Sequence, residues 1–363
     1  MEYFERRLEI LRAEYPDSVI LFRDNISRIY LTGFRSSDDA DGILAVFPDE
    51  AQFYIDSRYT EDAEGSVRSA DVILAKSYKE VYVRIFEAAS QKGLKTFIFD
   101  GTKTDYETFR ILKKIRGGLK MRSVPGILSE QRAVKTEREI ALISKAVEIS
   151  EKALSETLPL IKPGVSEKDI QTELEYRIKM NGGTGPSFET ILLFGPRSSL
   201  PHGVPSHQVK CKDKDIVLID YGVSYENYIS DITRTFFVGT PSDRMKQVYL
   251  TVLRANQKVL EKSREGMMIK RVDALARKEI EKAGYGDKFI HSLGHGIGLE
   301  VHEAPLVSFK ALRGRLKVNN VFTDEPGIYL PGEFGVRIED DILITETGAV
   351  NLSSGISKEL TVL

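Results

Sequence analysis

A Val124-Pro125-Gly126 break divides a chain whose two sides carry different hydrophobic periodicities, and it constrains the fold more than any other feature. Proline fixes φ and withdraws a backbone donor, so neither a helix nor a central strand runs through it, and Pro-Gly marks a turn. N-terminal to the break, Phe4, Leu8 and Leu11 recur at helical spacing over residues 2–14. Short β-type runs follow at 18–22, 42–47, 52–56, 71–75 and 96–100, with helical patterns near 78–91 and 104–116. Strands interleaved with helices predict an α/β domain with a mixed or parallel sheet over residues 1–128.

Beyond the break, Thr136-Glu137-Arg138-Glu139 has the form of a capping box opening a long helix. Its apolar face carries Ile140, Ile143, Val147 and Leu154, and Lys162-Pro163-Gly164 ends it. Ser166 caps a second helix with Asp169 in its first turn. Two later helices fit 242–264 and 269–283, and strand patterns occupy 216–223, 228–238, 320–324 and 335–345. Residues 129–363 therefore read as helices packed on an antiparallel sheet, an α+β domain.

Composition narrows the function classes. Lys plus Arg is 52 and Asp plus Glu is 54, so the net charge is −2 and gives no electrostatic reason to expect nucleic acid or an anionic membrane as a partner. No apolar run reaches the roughly 18 residues of a membrane span, and MEYFERRLEI lacks the apolar core of a signal peptide. Cys211 is the sole cysteine, which excludes an intrachain disulfide and argues against a structural cysteine-zinc site. A reducing cytoplasm is the expected setting.

The chemistry concentrates in the second half. Ile216-Val217-Leu218-Ile219 ends on Asp220, and Asp231 stands eleven positions later. A hairpin around 224–227 would bring both carboxylates onto neighbouring strands. Either acid alone reads more readily as a solvated strand residue, because acids are usually exposed. His291, His295 and His302, three of the five histidines, fall within twelve residues, and glycines flank His295 on both sides, allowing close backbone approach. That density outweighs the ordinary reading of a surface histidine. Glu325 precedes a Pro-Gly turn. In Gly335-Val336-Arg337-Ile338-Glu339, Val336 and Ile338 point one way while Arg337 and Glu339 point the other, either as a surface pair or as a ligand with its brace. Asp220, Asp231, His295, Glu325 and Glu339 make a hard-oxygen set with one nitrogen, suited to two divalent ions. Such carboxylates would repel one another without a cation. Two ions about 3.5–4 Å apart sharing a bridging hydroxide would make a hydrolytic site.

The order and spacing of these segments resemble the pita-bread metallopeptidases, the family of aminopeptidase P, prolidase and methionine aminopeptidase. The resemblance rests on Gly195–Gly203, Asp220, Ser230–Thr235, His295–Gly298, His302–Pro305, Thr323–Tyr329 and Gly335–Asp340. It implies a pita-bread catalytic domain over 129–363 and, from Asp56-Ser57-Arg58-Tyr59, the N-terminal domain of the proline-specific branch over 1–128. It implies that Asp220, Asp231, His295, Glu325 and Glu339 hold the metals. His202 and His302 match the catalytic histidines, and Arg337 a residue that braces the site. His291 and Tyr329 match residues of the substrate pocket. Arg197 stands where many members have Asn, and Phe194 where a small residue is common; both flank the His202 loop.

The activity implied is hydrolysis of the N-terminal Xaa-Pro bond by an Xaa-Pro aminopeptidase or Xaa-Pro dipeptidase, on peptides with proline second. Glu325 would relay a proton and His302 would donate to the carbonyl oxygen. Manganese is the first expectation for the metal pair, with cobalt and zinc as alternatives, and a homodimer is the implied assembly. Arg313 resembles a prolidase arginine that would meet the proline carboxylate, against the plainer reading of a solvated basic loop. Two other readings are a non-catalytic binding module on the same fold, which would lose metal ligands, and a methionine aminopeptidase, which would lack the N-terminal half.

Overall fold

The computed structural model describes residues 2–363 and separates into two compact units, Met1–Leu128 and Ser129–Leu363. The first unit holds helix α1 (Glu2–Glu14), strand β1 (Ser18–Phe22), α2 (Asn25–Thr32), β2 (Gly42–Val46), β3 (Ala51–Ile55), α3 (Thr60–Ser66), β4 (Asp71–Leu74), α4 (Tyr78–Gln91), β5 (Thr96–Phe99), α5 (Tyr106–Ile115) and β6 (Lys120–Ser123). Its six strands run in the order β4-β3-β2-β1-β5-β6. The β1–β2 and β2–β3 pairings are antiparallel and the other three parallel, so the sheet is mixed. Val19, Leu21, Ile43, Ala45 and Phe97 pack one face against Val81, Ile85, Phe86 and Ala89 of α4. Strand β6 escapes sequence reading because Lys120-Met121-Arg122-Ser123 is a largely exposed edge with no apolar face to declare it.

The second unit begins with α6 (Ser129–Ala133), α7 (Glu137–Thr157) and α8 (Glu167–Met180). Thr136 forms the expected capping box with Glu139, and Ser166 forms one with Asp169. Next come β7 (Gly185–Pro186), β8 (Ile191–Phe194), β9 (Ile216–Tyr221), β10 (Val223–Tyr225), β11 (Tyr228–Ile229) and β12 (Ile232–Phe237). Helices α9 (Asp243–Lys262) and α10 (Ile269–Lys282) follow. The chain closes with β13 (Gly294–Gly296), β14 (Glu303–Val307), β15 (Val321–Asp324), β16 (Gly327–Leu330), β17 (Phe334–Arg337), β18 (Asp340–Thr345) and β19 (Gly348–Asn351).

Two cores organise this unit. Val147, Leu154, Ile170 and Leu174 of α7 and α8 pack on Val217, Ile219 and Tyr221 of β9. Val252, Val259, Val272 and Ile280 of α9 and α10 pack with Phe322, Val336, Ile338 and Ile342. Period-two alternation sends the other side chains of β9 and of 335–339 to the face opposite those core residues. Asp220 on β9, Arg337 on β17 and Glu339 just after it have that parity.

Three expected strands, 216–223, 228–238 and 335–345, are each divided. The 216–238 hairpin is not one ribbon: β9 pairs with β12 while β10 pairs with β11 and β7. Gly222 allows the division, because a Cβ there would sit 2.0 Å from Ser230 O. The 335–345 run splits into β17, paired with β16, and β18, paired with β15.

Candidate metal centre

Asp220 is the penultimate residue of β9, directly opposite Thr233 in the antiparallel β9–β12 register. Asp231 directly precedes β12, its backbone N–H donating to Asp341 Oδ2 at 3.1 Å. Glu339 N–H donates to Thr233 O at 3.0 Å, which draws the 337–339 segment alongside β12. His295 sits on β13, its N–H donating to Thr323 Oγ1 at 3.1 Å. Its glycine neighbours are required by the packing. A Cβ at Gly294 would lie 1.9 Å from Thr323 O, and one at Gly296 2.2 Å from Ala304 O.

These strands converge. One donor atom each from Asp231, His295 and Glu339 lies within 4.8 Å of the others. His295 Nε2 is 3.7 Å from Asp231 Oδ2 and 3.5 Å from Glu325 Oε1. The other ring nitrogen, Nδ1, faces Gly296 O at 3.3 Å, so the proton sits there and the lone pair of Nε2 is left free to ligate a metal among the carboxylates. Asp220 is oriented by Arg337, whose Nη2 donates to Oδ2, while Asp220 Oδ1 is buried with no hydrogen-bond partner.

The titration of the cluster follows from burial and mutual repulsion. Burial raises the Asp231 carboxyl well above its ordinary value, and Glu339 and Asp220 add to the rise. Burial and then Glu339 do the same to Glu325. Glu339 is pushed up to about 8, by burial first and Asp220 second. The His295 imidazole falls to about 4, through burial and then His302. Four carboxylates with Arg337 as the one guanidinium on the cavity wall form an anionic pocket that favours a cation. An orphaned carboxylate oxygen, hard oxygen donors and one imidazole fit divalent metal.

The same residues line a cavity of about 510 Å³ that also includes His202, His291, His302, Glu189 and Leu306. His202 and His302 are exposed on it, and the His302 and His295 ring centroids are 4.1 Å apart. Arg337 Nη1 donates to Tyr329 Oη at 2.6 Å, and Tyr329 Oη lies 2.9 Å from His291 Nε2. His291 Nδ1 faces Ser292 O at 2.8 Å, so the chain runs from Arg337 through Tyr329 to a neutral His291. Burial, followed by Arg337, lowers His291 to about 4.

The structure brings ten of the eleven sequence-derived site residues together, whether on the cavity wall or, for Tyr329, bonded to it. Arg313 is the exception. It is exposed on the connection between β14 and β15 and is not on the wall. Residues not picked out from the sequence also serve the site. Thr233 Oγ1 joins Arg337 to Glu339, and Thr323 Oγ1 reaches Glu325 Oε1 at 3.4 Å. The shared parity of Asp231, Thr233 and Thr235 was the available signal.

Comparison with known proteins gives two family matches: metallopeptidase family M24 over residues 141–346 and the creatinase/prolidase N-terminal domain over 5–134. The chain is 37% identical to an Xaa-Pro dipeptidase of Pyrococcus furiosus over 352 residues, 97% of each. Among solved structures, the Xaa-Pro dipeptidase from Bacillus anthracis superposes with a TM-score of 0.92 at 34% identity, covering 99% of each chain. The X-Pro aminopeptidase from Thermotoga maritima gives 0.89 at 36% identity, covering 98% of this chain and 100% of that one.

Proposed function

Because the chain belongs to metallopeptidase family M24, we propose that it hydrolyses the peptide bond before proline with divalent metal, acting as an Xaa-Pro dipeptidase. The observation that carries this is the meeting of Asp231, His295 and Glu339 in one donor shell on a cavity rimmed by His202 and His302. Asp220, Asp231, His295, Glu325 and Glu339 would hold two ions. Divalent ions held there supply Lewis-acid chemistry and a nucleophile at neutral pH.

The chain's own groups do the rest. Arg337 fixes Asp220 and offsets part of the anionic charge. Glu325, its carboxyl raised by burial, is suited to take a proton from the nucleophile and deliver it to the departing imide nitrogen of proline. A His302 N–H would donate to the carbonyl oxygen as negative charge develops on it. His202 would position the peptide from the other rim. An Xaa-Pro bond carries no N–H, so a site that grips this bond through its carbonyl and its ring suits it. Manganese is the metal we propose, from the oxygen-rich donor set. A homodimer in the cytoplasm completes the reading.

The test is an assay of metal-stripped protein, reloaded separately with manganese, cobalt or zinc, on Ala-Pro, Ala-Pro-Ala and Met-Ala-Ser. Cleavage of Ala-Pro with little on Ala-Pro-Ala supports the dipeptidase. The reverse makes it an aminopeptidase, in line with the likeness to the Thermotoga structure. Turnover of Met-Ala-Ser alone overturns the proline assignment. No turnover with any metal favours a binding module. Light scattering on the eluted protein tests the dimer.

A further inference from the structure

We propose that Glu167 and Arg197 form a brace that sets the position of His202, making both of them positioning residues for the reaction. The inference rests on the functional reading of His202 given above. His202 itself is exposed, on a loop that leaves β8 at Phe194 and returns beyond Ser206, so little packing holds its side chain. Glu167 is fully buried at the first position of α8, where the helix N-terminus favours a negative charge.

Its two oxygens gather both ends of the loop. Oε1 accepts from Phe194 N–H at 3.0 Å and from Arg197 Nε at 3.1 Å. Oε2 accepts from Ser206 N–H at 3.0 Å. Arg197 then extends the clamp, with Nη2 donating to Val204 O at 2.6 Å, two residues past His202. The guanidinium thus spans the loop from its start to the backbone just after the histidine. A planar fork can make both contacts at once, which a lysine cannot.

A second tie reaches the catalytic side. Ser198 is fully buried, and its Oγ donates to Gly195 O at 2.7 Å while accepting from Gly335 N–H at 2.8 Å. Gly335 lies on β17, the strand that carries Arg337. A Cβ on Gly335 would lie 2.2 Å from Ser198 O, so the loop and the strand are in direct backbone contact. The arrangement references His202 to the same strand that orients Asp220. Arg197 touches none of the five donor residues, so its effect on turnover would travel through the loop.

The experiment is a double-mutant cycle on the full-length, manganese-loaded protein, comparing wild type, Arg197→Ala, His202→Ala and the double variant on Ala-Pro and Ala-Pro-Ala. Thermal midpoints and metal content are measured alongside. Arg197→Ala is expected to lower kcat roughly ten- to a hundredfold, the scale of a small misplacement, with KM and metal content little changed. In the His202→Ala background the same change is expected to cost almost nothing, because the residue it positions is gone. Arg197→Lys, which retains the charge, is expected to fall between wild type and alanine, and it decides the matter if the alanine variant does not fold. An equal loss in both backgrounds, or no loss in wild type, overturns the brace. A wild-type protein that cleaves neither peptide, or a silent His202→Ala, removes the functional reading of His202 and this inference with it.

Discussion

Thr233 Oγ1 donates a 2.6 Å hydrogen bond to Glu339 Oε2. The same hydroxyl accepts from Arg337 Nε at 3.0 Å, so one side chain on β12 fixes both a candidate metal donor and its guanidinium brace. Thr233→Val keeps the shape and leaves Glu339 and Arg337 each short of a partner. We expect manganese affinity to fall roughly ten- to a hundredfold, with the fold retained. Titration of the stripped protein by calorimetry measures this, and unchanged affinity would show that Thr233 does not hold Glu339 in place.

Asp231 is buried beside His295 and Glu339. Asp231→Asn removes a charged donor while keeping its volume. Turnover of Xaa-Pro peptides is expected to drop close to background, with loss of bound metal read by atomic emission. A variant with near wild-type turnover and a full metal load would show that Asp231 is not a ligand.

The pH response of the stripped protein follows from Glu339. Its folded-state value of about 8 stands above the ordinary 4.5. A raised value means that its stability contribution is complete below the ordinary value and is lost as pH rises through about 8. Divalent metal requires the ionised carboxylate, so stabilisation by added manganese is expected to grow across the same window. His291 acts oppositely. Lowered from 6.5 to about 4, it contributes stability that is lost as pH falls through about 4. Thermal midpoints of stripped and loaded protein against pH measure both slopes. Glu339→Gln should flatten the first, and a metal-induced shift that does not vary with pH contradicts the assignment.

Gly296→Ala forces a Cβ to within 2.2 Å of Ala304 O, a backbone atom that cannot swing aside. The expected cost is about 1–3 kcal/mol in denaturant unfolding, together with reduced activity as His295 shifts. A variant as stable as wild type would mean that β13 and β14 separate freely.

Arg313→Ala tests the dipeptide clamp. The side chain is exposed and off the cavity wall, so the expected outcome is an equal and small effect on Ala-Pro and Ala-Pro-Ala. A loss confined to Ala-Pro would show that Arg313 reaches the proline carboxylate during turnover.

The alternation of 335–339 was readable from residue order, with Val336 and Ile338 buried in the core and Arg337 and Glu339 facing the site. So were the capping box at Thr136, the helix cap at Ser166 and the need for glycine around His295, since helix starts and strand parity are set by neighbours in the chain. The strand divisions at Gly222 and after Arg337 were not readable. Each run is uniformly strand-like, and the change comes from which strand it meets.

Residue types and spacing alone pointed to the five candidate donors and to the family they resemble. Only the tertiary structure decided what holds them. The Thr233–Glu339 bond joins residues 106 positions apart, and the Glu167–Arg197 brace spans 30. Hydrogen bonds of that kind depend on how sheets and helices dock, and local sequence carries no record of a contact made across the fold. The same reason leaves Arg313 outside the cavity wall: its charge was visible in the sequence, but its distance from the site was not.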